Sequence, residues 1–62
     1  MWIARNKDGT LVCFNDMPNY KLDEYFVPYG LSVDEGVIMP SDADEKLLGR
    51  HIEFEDGSFG IY

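Results

Sequence analysis

The chain has 62 residues, twelve of them acidic and five basic, giving a net charge of −7. That length allows one small domain spanning residues 1–62, able to bury only ~60% of the surface of its unfolded form, while a hydrophobic share of 45% argues against disorder. The acidity excludes direct nucleic-acid binding and a polybasic membrane mode, both of which need a basic face, and no apolar run reaches spanning length. Met1 to Gly9 holds no apolar leader segment, and Cys13 is the single cysteine. A cytoplasmic location, no disulfide and no membrane partner are therefore expected. With one histidine as well, His51, no zinc-type cluster can form. Stability must then come from the one tryptophan, four tyrosines and four phenylalanines, or from a partner chain.

Trp2 to Arg5 and Thr10 to Phe14 are strand formers on either side of Asn6-Lys7-Asp8-Gly9. Asn-x-Asp-Gly suits a type I turn with Gly9 at positive φ as a G1 bulge. This geometry pairs Arg5 with Leu11, Ala4 with Val12, Ile3 with Cys13 and Trp2 with Phe14. Trp2, Ala4, Val12 and Phe14 share one face; Ile3, Arg5, Leu11 and Cys13 share the other. Both are largely apolar, which predicts a hairpin at the middle of a sheet. Asp16 to Asn19 reads as a loop. Tyr25-Phe26-Val27 reads as a short strand ended by Pro28, with a short helix over Lys21 to Phe26 as the alternative. Tyr29 to Glu35 reads as a loop, and Gly36 to Met39 as a strand ended by Pro40. A helix is predicted over 42–48, with Ser41 as cap, Asp44 completing a capping box and Gly49 ending it. Leu47 and Leu48 would dock it on the sheet. His51 to Glu55 and Ser58 to Tyr62 flank Asp56-Gly57, a two-residue hairpin signal that opposes Phe54 to Phe59 and Ile52 to Ile61. The expected class is α+β: a mostly antiparallel sheet of about five short strands, N- and C-terminal hairpins, and one short helix.

The opening Trp2-Ile3-Ala4-Arg5-Asn6-Lys7-Asp8-Gly9-Thr10-Leu11 resembles the W-I-A-R-(D/N)-K-(D/N)-G-x-L start of very small proteins from gut bacteria and their mobile elements. Met39 to Tyr62 is similar in outline, with a strand, a Ser-capped helical turn and an acidic strand. The chain departs from that group near its last strands, where Phe54 stands in for a second tryptophan. The resemblance implies a small β-rich domain of bacterial or phage origin. It implies no activity and no catalytic residue, since none is established for the group.

Cys13 and His51 are the residue types of a nucleophile and its base, but a cysteine inside a strand is ordinarily a small buried hydrophobe. Asp42, Asp44 and Glu45 could hold a hard cation, yet they lack the alternating spacing of a calcium loop and are explained by the helix dipole. Asp34 and Glu35 precede Gly36 as a polar turn, and so small a chain has little room for a deep cleft. No catalytic, metal or cofactor site is expected, and no enzyme. Tyr20, Tyr25, Phe26 and Tyr29 are the first candidate interface: four large aromatics within ten residues exceed what a short edge strand must bury. They predict a non-enzymatic module that binds a protein or itself. The second candidate is an acidic face of Glu53, Glu55 and Asp56, helped by Asp23, Glu24, Asp34 and Glu35. It would imitate DNA phosphates and occupy a nucleic-acid-binding defence protein.

Overall fold

The Asn6–Gly9 turn folds β1 (Trp2–Arg5) onto β2 (Leu11–Phe14). Gly9 adopts φ +98, and Asn6 N–H donates to the Thr10 carbonyl at 2.7 Å. The four pairs are those the turn geometry demands, Trp2↔Phe14 through Arg5↔Leu11. The computed structural model describes residues Met1–Ile61. In it β1 and β2 are the inner strands of a four-stranded antiparallel sheet ordered β5-β2-β1-β6, with β5 at Val37–Met39 and β6 at Ser58–Gly60. A second hairpin joins β3 (Tyr20–Leu22) to β4 (Pro28–Leu31). One helix, α1, spans Ala43–Leu48. The architecture is thus the expected α+β class, with six antiparallel strands among the described residues.

Both faces of the central β1–β2 hairpin are covered, as its doubly apolar sequence requires. On one, Ile3 and Leu11 pack with Ala43 and Ile52, supported by Met39, Leu48, Phe59 and Ile61. On the other, Ala4, Val12 and Phe14 pack with Leu31, supported by Trp2 and Tyr20. The helix therefore seals the first face and the β3–β4 hairpin the second. The second hairpin is also tied down by Asn6, whose Oδ1 accepts the Leu31 N–H at 3.0 Å. A Cβ at Gly36 would collide with the side chains of Val12 and Phe14, so glycine lets the chain cross this face closely before β5.

The C-terminal segment corrects the sequence reading. Asp56-Gly57 does not close a hairpin; Phe54–Asp56 is a 3₁₀ turn, and β6 pairs with β1 through Ile3↔Phe59. A type I′ turn needs positive φ at both central residues, but Asp56 stays in the right-handed region and only Gly57, at φ +79, crosses over. The Asp56 carboxylate instead accepts the Glu53 N–H at 2.8 Å. Pairing with β1 places Phe59 and Ile61 on the Ile3 face beside Ile52. Phe54 goes to the opposite side, edge-on to Tyr20 at 5.8 Å between ring centroids. Tyr62 lies outside the described residues.

The middle segment differs too. Tyr25-Phe26-Val27 forms the turn between β3 and β4 rather than a strand or helix, and Tyr29 to Leu31 is strand rather than loop. Pro28 opens β4, at the edge of a two-stranded ribbon where its missing N–H costs no ladder bond. At the helix, Asp42 occupies the N-cap position without a side-chain hydrogen bond, and Gly49 ends the helix at φ +73 as expected. Ser41 does not cap, and Asp44 does not complete a box, because its carboxylate turns inward. Ala43 and Leu48 contact the core, whereas Leu47 is exposed.

Candidate functional site

The inward turn of Asp44 answers a demand from the hairpin. Arg5 lies among apolar neighbours on a covered face and is only 5% exposed, so its charge and five N–H donors need partners. Its Nε donates to the Ile52 carbonyl and its Nη1 to the Gly9 carbonyl, both at 2.7 Å. Nη2 serves the Ser41 carbonyl at 2.9 Å and Asp44 Oδ2 at 2.7 Å. Asp44 is fully buried and also accepts the N–H groups of Ile52 at 2.9 Å and Glu45 at 2.8 Å. Burial by itself would raise the Asp44 carboxyl; the Ile52 N–H, the Arg5 guanidinium and the Glu45 N–H outweigh it and hold the pKa down at about 2. One ion pair thus joins the first hairpin, the helix and the segment after it. It is structural: four of the five Arg5 N–H donors and both Asp44 oxygens are engaged within the fold.

His51 extends this network to the surface. Its Nδ1 lies 3.1 Å from Asp44 Oδ2 and its Nε2 2.7 Å from Glu53 Oε1. The two ring nitrogens face carboxylates, not Cys13, which is a buried free thiol in β2. The nucleophile–base pairing suggested by residue type is not assembled. Nor does any group of three acidic, histidine or cysteine side chains among the described residues have an arrangement suited to a metal ion. A groove of about 380 Å³ beside Phe14 is lined by Asp16, Asp34 and Glu35 and carries no histidine or basic group.

The acidic candidates do not form one free array. Asp56 accepts the Glu53 N–H and lies 3.6 Å from Arg50, and Glu53 holds His51. Two of the three carboxylates therefore serve their own turn, and Glu55 projects from its middle.

The aromatic candidates separate. Tyr20 is half-buried between Phe54 and the second sheet face, and its hydroxyl is buried without a hydrogen-bond partner among the described residues. Burial pushes this hydroxyl's pKa up, partly offset by the neighbouring Ser58 side chain. Tyr25, Phe26 and Tyr29 instead stand at or near the tip of the β3–β4 hairpin, 77%, 80% and 52% exposed, with Val27 also exposed between them. The backbone beneath is tightly held. Asp23 Oδ1 accepts the N–H groups of Tyr25 at 2.8 Å and Val27 at 2.9 Å. The Asp23 N–H donates to the Val27 carbonyl at 3.1 Å, and the Phe26 N–H to the Asp23 carbonyl at 3.0 Å. This closes the turn around Phe26, which adopts φ +62, the only positive φ of a non-glycine residue among those described. A bulky side chain in that region costs of order 1–3 kcal/mol. Composition could flag the aromatic density, but nothing local marked Phe26 as left-handed. The Arg5–Asp44 pair did leave a trace: a lone arginine on an otherwise apolar central hairpin calls for a buried acid.

No helix among the described residues is long and apolar enough to cross a membrane. No protein-family model matches the chain, and no curated protein or solved structure matches it either.

Proposed function

We propose that this chain is a non-enzymatic protein-binding module that docks through the tip of its β3–β4 hairpin. The observation that carries the reading is Phe26: a large aromatic 80% exposed, on a left-handed backbone that Asp23 clamps. Strain of this kind persists where the surroundings over-determine it, and it concentrates at binding and active sites. Phe26 contributes nothing to either apolar cluster, so burial within the fold does not explain it. Tyr25, Val27 and Tyr29 flank it, giving an apolar knob with polar tyrosine edges, the composition of interface anchors. A turn already ordered by hydrogen bonds loses little further entropy on docking. Glu24 beside the knob and the net charge of −7 favour a partner pocket that is apolar at its base and basic at its rim.

The test is a photo-crosslinking phenylalanine analogue at position 26, with the same analogue at Leu47 as an exposed control elsewhere on the surface. A discrete adduct from host extract at position 26, absent at 47, is the expected result. Equal labelling at both positions, or none at 26, defeats the reading. An acidic, DNA-imitating surface has less support, since Glu53 and Asp56 are engaged in the 3₁₀ turn itself.

A further inference from the structure

We infer that this chain pairs with a second copy of itself along the open edge of β6, a surface distinct from the aromatic tip. Two hydrogen bonds set the direction of every backbone group in the sheet. Asn6 N–H bonds the Thr10 carbonyl at 2.7 Å, and Ile61 N–H bonds the Met1 carbonyl at 2.7 Å. Antiparallel partners alternate between hydrogen-bonded and non-hydrogen-bonded pairs. Trp2 and Ala4 therefore direct their N–H and C=O groups at β2, and Ile3 directs its own at Phe59. Ser58 and Gly60, on either side of Phe59, point theirs away from β1. β6 is the last strand of the sheet among the described residues, and no other strand among them receives these groups.

The two edges of the sheet are not alike. By the same alternation Leu11 and Cys13 bond Met39 and Val37, which leaves Ile38 as the outward residue of β5. Its neighbours cannot extend a ladder: the Gly36 N–H is spent on the Val33 carbonyl, and Pro40 has none. Both edge strands are three residues long, so the β5 edge differs in being blunted by its proline and by the spent Gly36 N–H. Residues 58–60 contain no proline, lysine or other charge.

The outward-pointing β6 groups are self-complementary. A two-fold axis at Phe59 sets Ser58 of one copy opposite Gly60 of the other, and the reverse. Each pair closes two N–H···O=C bonds, so four form in all, and the two sheets become one. The Phe59 side chains then meet across a non-hydrogen-bonded position, where cross-strand contact is closest. Phe59 is half-buried in the monomer, with Arg50 5.2 Å above its ring. Gly60 suits the site, since the Trp2 ring already covers its sheet face. The charge of −7 on each copy opposes association, so this contact strengthens as salt is added. Docking of the acidic chain on a basic partner has the opposite salt dependence.

The experiment follows backbone amide exchange by NMR, with sedimentation equilibrium, from dilute protein to about 1 mM at low and high salt. The inference expects a dimer at high concentration and salt, with exchange at Ser58 and Gly60 slowing together by about tenfold or more. Gly60→Pro deletes one outward N–H at an exposed position and is expected to be monomeric. The wild-type amides decide the matter even if that variant folds poorly. A strict monomer with concentration-independent exchange at both amides overturns the inference. So does a dimer in which they stay unprotected while Tyr25 to Val27 become protected.

Discussion

Two aspartates organise two regions of this molecule, and they do opposite work. Asp44 is fully buried and receives hydrogen bonds from residues far along the chain, Arg5 among them. Asp23 is exposed and receives hydrogen bonds only from Tyr25 and Val27, close to it in sequence. Around Asp44, Ile52, Ala43 and Leu48 pack in the core. Around Asp23 the large side chains face outward, although the backbone is as well ordered. The first region ties the fold together across long sequence separations; the second shapes a surface that belongs to neither apolar cluster. Density of hydrogen bonding therefore does not distinguish the core from the exposed tip here, whereas the reach of the bonds does.

The strongest way to break this contrast is Asp44→Ala. It leaves Arg5 buried with an unpaired charge, which costs about 3–5 kcal/mol. A domain of this size has roughly that much stability in total. Chemical denaturation should find the variant largely unfolded in buffer; a well-folded variant would show that the pair is dispensable.

Acid probes the same site more gently. In an unfolded chain the carboxyl titrates near 3.8, and in the fold at about 2. Below pH 4 the unfolded chain takes up a proton that the folded chain refuses. The stability from Asp44 is thus complete above that pH and declines as pH falls from about 4 towards about 2. Asp8, whose carboxyl is lowered by the Thr10 N–H and hydroxyl, acts in the same direction from an exposed turn. Melting temperature against pH should flatten between those values in Asp44→Asn, once the variant's lower baseline is allowed for.

Asp23→Ala should do far less to the whole. It removes two local hydrogen bonds, worth about 1 kcal/mol each at most for exposed groups. Amide exchange at Tyr25 and Val27 should accelerate while that of Ile3 and Val12 does not. Faster exchange in the sheet would mean that the tip supports the fold after all.

How much of this was legible in the sequence follows the same division by reach. The β1–β2 register could be read because the local Asn6–Gly9 turn determines it. The β5 strand and the Gly49 helix end were readable for similar local reasons. The C-terminal Asp-Gly pair misled because the strand after it pairs with β1, at the far end of the chain, and Phe54–Asp56 forms a 3₁₀ turn. Locally Asp44 reads as the second half of a capping box behind Ser41, because its partner, Arg5, lies at the other end of the chain. Of the four aromatics proposed as an interface, three stand exposed together and Tyr20 turns inward. Phe54 draws it there, and no spacing rule links those two residues.

The central claim is that the tip is free of structural duty and available for docking. Phe26→Gly tests it most directly, because glycine accepts φ +62 without strain. The measurement is a pair of values on one variant: unfolding free energy, and affinity for the protein trapped by the position-26 probe. Stability should be unchanged or higher by about 1 kcal/mol, and affinity should fall about tenfold or more. A loss of stability of that size, or an affinity that does not move, would contradict it.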